Sequence, residues 1–224
     1  MVYKSSKETQ ERKDLKKKHI LETAIKVFSV NGYHGTTVKD VVEAADISVG
    51  TFYFYFKNKE DLFDTLYDDV SEEFFNALIN SLDNINKEID LGFSKAIAFF
   101  LKVIELNKPL ARILLIEAVG LNPRFEKRRY EITQKYVSYT SNYFEQMKQA
   151  GILKTPDVKI CSLAFIGTLY NVIMEWLQSD APNSLTNYAY ALTIYNLQAL
   201  GITYDDKNVK QGIEDVLKNI SIQC

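Results

Sequence analysis

Residues 48–63 read SVGTFYFYFKNKEDLF, with the aromatics Phe52 to Phe56 in strict Phe/Tyr alternation. Taken alone, the run favours a β-strand with a phenylalanine face and a tyrosine face. Aromatics have high strand propensity, and a period of two is the strand signature. The flanking residues overrule that reading. Residues 19–47 read HILETAIKVFSVNGYHGTTVKDVVEAADI, in which Ile20, Ala24, Val27 and Phe28 recur at helical spacing until Asn31-Gly32 ends the pattern. Thr37 followed by Asp40 is a capping-box-like start for the helix VKDVVEAA. Asp46-Ile47 breaks that helix, and the Ser48 hydroxyl can cap another. The alternating aromatics therefore belong to the second of two short helices joined by a tight turn.

Wound at 100° per residue, Phe52 and Phe56 fall within about 40° of each other. They share a core face with Val38, Val41, Val42, Ala45 and Ile47. Gly50 and Phe54 point the opposite way, while Thr51, Tyr53 and Tyr55 flank. Tyrosine hydroxyls suit phosphate oxygens, and Gly50 lets the helix approach a groove closely. After Phe56 come Lys57 and Lys59, and Asn58 with Asp61 is a second capping-box-like start, opening the long helix EDLFDTLYDDVSEEFFNALINSL. Its first-turn amides and the two lysines make a phosphate-binding corner.

Charge supports the same end of the chain. Residues 1–59 hold 11 Lys/Arg against 7 Asp/Glu, leaving 16 against 22 for the rest of a chain whose net charge is −2. The N-terminal quarter can face a polyanion and the remainder cannot. The basic arm KSSKETQERKDLKKK, residues 4–18, reads either as a solvated tail or as a segment reaching phosphates or a minor groove. The N-terminus has no apolar core of a signal peptide and no run of 18 uninterrupted apolar residues occurs, so the expectation is a cytoplasmic protein without a membrane span. Cys161 and Cys224 form neither a disulfide framework nor a zinc spacing, and His19 and His34 have no ligand-type neighbours. No metal, no cofactor and no catalytic residues are expected, since no Ser/His/Asp or Cys/His arrangement and no glycine-rich phosphate loop is present.

Breaks along the chain are helix ends. Lys108-Pro109, Asn122-Pro123 and Thr155-Pro156 predict helix starts near 109, 123 and 156, and Gly120, Gly151 and Gly201 close the preceding segments. The intervening stretches are too long for strands, so the chain reads as all α, with about nine or ten helices. The expected organisation is an N-terminal three-helix DNA-binding domain with a helix-turn-helix over residues 1–57, then a larger helical bundle over 58–224.

The segment from His19 to Phe63 resembles the DNA-binding region of the TetR/AcrR family of one-component transcriptional regulators. Phe28, Gly32, Thr37, Val38, Ala45, Gly50, Thr51, Tyr53, Phe56 and Lys59 occur in the family's order. The resemblance implies DNA contacts, chiefly to phosphates, at Thr37, Thr51, Tyr53, Tyr55 and Lys59. Val49 stands where lysine is frequent and Phe54 where histidine or tyrosine is frequent, which replaces a polar contact by one suited to a thymine methyl. Together with Ser48, Gly50 and Lys57 these residues are the expected DNA-facing set.

The resemblance further implies an inducer cavity between central helices, for which the candidates are Phe99, Phe100, Val103, Leu114, Glu117, Tyr136, Tyr139, Tyr143, Phe165, Leu169 and Asn171. Glu117 in RILLIEAVG and Glu175 in VIMEWL are charges inside apolar runs, each placed either at a helix edge or as a polar anchor for a ligand. Dimerisation through the last major helices is implied, with Ala164, Gly167, Thr168, Trp176, Ala191 and Tyr195 as candidates. The expected function is a homodimeric, ligand-responsive regulator, a repressor released from a palindromic operator by a small apolar or amphipathic inducer. Two other classes compete with it: a helical enzyme acting on an apolar substrate, and a lipid-binding or interaction module with a vestigial helix-turn-helix.

Overall fold

A computed structural model describes residues 7–83, 88–179 and 183–220. Cys224 and the first residues of the basic arm, Lys4 to Ser6, lie outside the described residues. All regular structure among the described residues is helical: α1 (Lys7–Gly35), α2 (Val38–Ala44), α3 (Val49–Tyr55), α4 (Lys59–Asp83), α5 (Ile89–Leu106), α6 (Lys108–Arg112), α7 (Pro123–Gln149), α8 (Val158–Gln178), α9 (Ala189–Ala199) and α10 (Asp206–Ile220). A π turn, Ile113–Glu117, continues α6, and a 3₁₀ turn, Leu185–Tyr188, precedes α9.

The caps explain most boundaries. Thr37 and Asp40 form a reciprocal capping box at the start of α2, and Ser48 Oγ accepts the Thr51 N–H at 3.0 Å to start α3. Asn122 accepts the N–H groups of Arg124 and Phe125 ahead of Pro123. Two readings need correction. The helix expected near 156 begins at Val158, because Asp157 accepts the Ile160 N–H and Pro156 sits ahead of the cap. The basic arm is helical from Lys7 onward, continuous with the helix that carries Ile20 and Phe28.

By packing, the chain forms two compact units: Met1–Val70 with Pro109–Leu121, and Ser71–Lys108 with Asn122–Cys224. The division falls inside α4, and the π turn belongs with the helix-turn-helix although 38 residues separate the two parts of that unit. In the first unit Ile20, Ala24, Phe28, Val41, Phe52, Phe56, Leu62, Phe63 and Ile113 are buried, with Phe28 edge-on to Phe63 at 5.3 Å. In the second, Phe93, Leu101, Phe144, Phe165, Leu197 and Val209 form the core. There α10 lies against α5 so closely that a Cβ at Gly212 would stand 2.7 Å from the Leu91 carbonyl oxygen, and only glycine fits.

Candidate nucleic-acid interface

The first unit is built to present α3. Phe52 and Phe56 are buried and Ala45, Val41 and Val42 pack beneath them, which fixes one side of the helix. The turn from α2 runs through Asp46 at φ 49°, a left-handed conformation that aspartate tolerates better than most residues. The opposite side is bare: Val49 is 53% exposed, Tyr53 55% and Phe54 65%, with Gly50 exposed between them. Large aromatics at such exposure on a helix this firmly anchored mark a contact surface.

Of the expected DNA-facing residues, Ser48, Val49, Gly50, Tyr53, Phe54 and Lys57 are exposed along or beside α3, with Thr51 and Tyr55 half-buried on its flanks. Thr37 is exposed at the start of α2, its hydroxyl engaged with Asp40 at 2.7 Å. The N–H and hydroxyl of Thr37 hold the Asp40 carboxyl below its ordinary pKa, so the cap stays charged. Lys59 departs from expectation. Its ammonium donates to the carbonyls of Tyr33 and Thr36 at 2.8 and 2.9 Å and lies 4.3 Å from the centre of the Tyr33 ring. The carbonyl-rich end of α1 attracts the cation, which ties that end to the start of α4.

Glu117 also departs from its assigned place. Gly32 leaves the helical region (φ 69°), and Glu117 Oε2 accepts the Tyr33 N–H at 2.9 Å. A Cβ at residue 32 would meet that oxygen at 3.1 Å. Glu117 and Leu114 thus belong to the first unit, so neither lines an interior of the second. Sequence reading also missed Tyr33 itself, which is 7% exposed and donates its hydroxyl to Glu60 at 3.1 Å. Burial first, and then the neighbouring Glu60, push its pKa up to about 12.

In the second unit the other ligand candidates fall into three groups. Phe165 is buried between Phe93 and Phe144 at ring separations of 5.5 and 5.7 Å, with Phe100 and Leu169 also buried. Tyr136 and Tyr139 stand edge-on to Phe75 at 5.3 and 5.9 Å, and Phe99, Val103 and Tyr143 are half-buried. Asn171 points outward, its amide donating to the Gly167 carbonyl at 2.8 Å, and so is no interior anchor. Glu175 is exposed at the helix edge.

Among the dimerisation candidates, Ala164, Ala191 and Tyr195 are exposed and Gly167 and Thr168 half-buried. Trp176 is 5% exposed, donates its indole N–H to the Asn183 carbonyl and carries Lys108 over its ring at 4.5 Å, so it belongs to the unit's own core. By length and composition α8 is apolar enough to cross a membrane, but Phe165, Leu169, Ile173 and Trp176 on one side of it are buried in protein. Among the described residues no group of His, Cys, Asp or Glu is arranged to hold a metal.

A capped helix-turn-helix with a bare, aromatic second helix defines a DNA-binding protein. The family described as bacterial regulatory proteins, tetR family, matches residues 20–66, the segment from the middle of α1 into α4. Over 194 residues the chain is 26% identical to the uncharacterized HTH-type transcriptional regulator YhgD of Bacillus subtilis, covering 83% of this chain and 96% of that one. It is 25% identical over 187 residues to the fatty acid metabolism regulator protein of the same organism, covering 82% and 93%. In structure it is similar to FadR of Bacillus subtilis in complex with stearoyl-CoA, with a TM-score of 0.71 at 22% identity, over 83% of this chain and 98% of that one. Residues 20–66 thus match the tetR family of bacterial regulatory proteins, and the chain is a DNA-binding transcriptional regulator.

Proposed function

We propose that the chain is a homodimeric repressor, acting in the cytoplasm on a roughly palindromic operator and released from it by a long-chain acyl thioester of coenzyme A. The observation that carries the DNA reading is the bare face of α3, where Val49, Gly50, Tyr53 and Phe54 stand exposed on a helix anchored by Phe52 and Phe56. Tyrosine serves the phosphates, and the apolar Val49 and Phe54 suit thymine methyls.

The ligand class is supported by the likeness to the fatty acid regulator of Bacillus subtilis, whose FadR structure holds stearoyl-CoA. An apolar chain also suits the side chains of the second unit, where Phe93, Phe100, Phe144, Phe165 and Leu169 are all buried. Homodimerisation is supported by a stripe along α8, Ile160, Leu163, Ala164, Gly167 and Asn171, and one from the end of the 3₁₀ turn into α9, Tyr188, Ala191 and Tyr195. Two helices with apolar and small residues on one side make half of a four-helix contact about a two-fold axis. Two recognition helices about 34 Å apart then read successive major grooves.

The switch would act through α4, whose first turn follows the exposed Lys57 and whose second half belongs to the ligand unit. Near-complete release needs the ligand to favour the released state by about 5.5 kcal/mol. The test is fluorescence anisotropy on a duplex from the DNA upstream of the gene against a scramble. Stearoyl-CoA is then titrated into the complex, with the fluorescence of the single tryptophan, Trp176, reporting ligand binding. Release of DNA as ligand binds is the expected result. A tryptophan signal with no change in operator affinity sinks the ligand reading, and equal weak affinity for both duplexes sinks the operator reading.

A further inference from the structure

We propose that the N-terminal extension of α1 builds a second phosphate site beside the recognition helix, formed by Arg12 and Lys16 against Tyr55, which grips the DNA backbone outside the groove that α3 enters. The inference rests on the DNA-binding reading above and adds to it a site outside α3 and its flanking caps. A cleft of about 570 Å³ lies between the two helices, lined by Arg12, Leu15, Lys16, His19 and Tyr55, none of them acidic. It is fixed on both sides. His19 Nε2 lies 3.0 Å from the Ala45 carbonyl oxygen, which ties α1 to the turn before α3. Further along, Lys13 stands 5.5 Å from the centre of the Phe54 ring and Lys17 5.9 Å from that of Phe56. The extension therefore runs along the Phe54 and Tyr55 flank of α3, next to its bare face.

The chemistry selects a phosphodiester. Arg12 offers a fork of donors and Lys16 a mobile point charge, while the Tyr55 body closes one wall and its hydroxyl can donate to an oxygen. Residues 12, 16 and 19 share one side of α1, since they are spaced by four and three. Lys18 lies on the far side, 72% exposed and 3.8 Å from Glu22. A strand of DNA whose groove admits Val49, Tyr53 and Phe54 presents its next phosphates to the flank that the extension occupies. Sites of this kind add affinity on every sequence and steepen the salt dependence without choosing bases.

Lys16→Ala and Lys18→Ala remove the same charge from opposite sides of one helix, which makes them a matched pair. The full chain is titrated by anisotropy onto a labelled duplex from upstream of the gene and onto its scramble, across a range of salt. Lys16→Ala should weaken binding to both duplexes on the order of tenfold at low salt and make the slope of log K against log salt shallower by about 1. Arg12→Ala with Lys16→Ala should remove about 2 from the slope, and Lys16→Arg should restore it. Lys18→Ala should keep the wild-type slope. Equal effects of Lys16→Ala and Lys18→Ala, or no change of slope in either, overturn the site while leaving the regulator reading intact. If the wild-type chain binds neither duplex, both fall.

Discussion

The Glu117 carboxylate accepts the main-chain N–H of Tyr33 at 2.9 Å, across 84 residues of sequence. The donor follows Gly32, where α1 leaves helical geometry, and the acceptor ends a π turn, a feature that recurs where helices carry function. Lys59 takes the Tyr33 carbonyl from the other side, so one residue is gripped by α4 and by the 109–121 segment at once. Glu117→Ala leaves a half-buried N–H without its charged acceptor, at a cost of about 1–3 kcal/mol. That corresponds to a fall in thermal midpoint of several degrees, roughly 2–4 °C per kcal/mol at this chain length. Glu117→Gln keeps an acceptor and should lose less. If the 109–121 segment helps couple ligand to DNA, Glu117→Ala will also bind stearoyl-CoA with less release of operator. An unchanged midpoint and an unchanged release curve would show the contact to be idle.

On α3, hydroxyl and ring should separate. Tyr53→Phe deletes one donor from an exposed side chain, so affinity should drop about 2- to 10-fold, on operator and scramble alike. Phe54→Ala removes an apolar contact, and its loss should fall on the operator alone, at positions bearing a thymine methyl. Anisotropy with thymine-to-uracil duplexes separates the two, since uracil lacks the methyl. A Phe54→Ala variant that discriminates as well as wild type excludes that ring from base reading.

The helix-turn-helix was legible because each signal in it is local. Thr37 caps with Asp40 three residues on, Ser48 with Thr51, and the spacing of Phe52 and Phe56 decides which aromatics are buried. What escaped depends on partners far along the chain. Nothing near Glu117 says that its acceptor role is toward residue 33, and nothing near Lys59 says that α1 ends beside it. Trp176 looked like an interface residue from its helix, but its fate was decided by the Asn183 carbonyl and Lys108. The extension of α1 escaped for a different reason. With Leu15 its main apolar residue it carries almost no periodicity, and its helix is supported by polar pairs such as Gln10 with Asp14 at 2.9 Å.

The exposed stripes on α8 and α9 predict a dimer that single charges will break. Ala164→Glu and Tyr195→Glu each put a carboxylate on the stripe, and in a two-fold contact each substitution counts twice. Sedimentation should show monomers, and operator affinity should collapse with dimerisation, because two half-sites are then no longer read together. Dimers that survive both substitutions would place the contact on another surface.

Acid stability should carry the signature of Glu105. Burial works against its charge, but donors from Ser184, Lys102 and the Thr186 N–H outweigh that and hold its pKa below the ordinary glutamate value. A carboxyl with a lowered folded-state pKa stabilises the fold fully above its unfolded value, about 4.3, and the benefit is lost as pH falls through the folded value. The sign follows directly: wild type and Glu105→Gln should differ most at neutral pH and converge below about pH 4. Comparing the pair cancels the other lowered carboxyls, Asp40, Asp206 and Asp215, which both proteins share. Urea midpoints measured from pH 7 down to about pH 3 supply the test. A gap between the two proteins that stays constant over that range would mean that Glu105 packs the 3₁₀ turn against α5 by shape and not by charge.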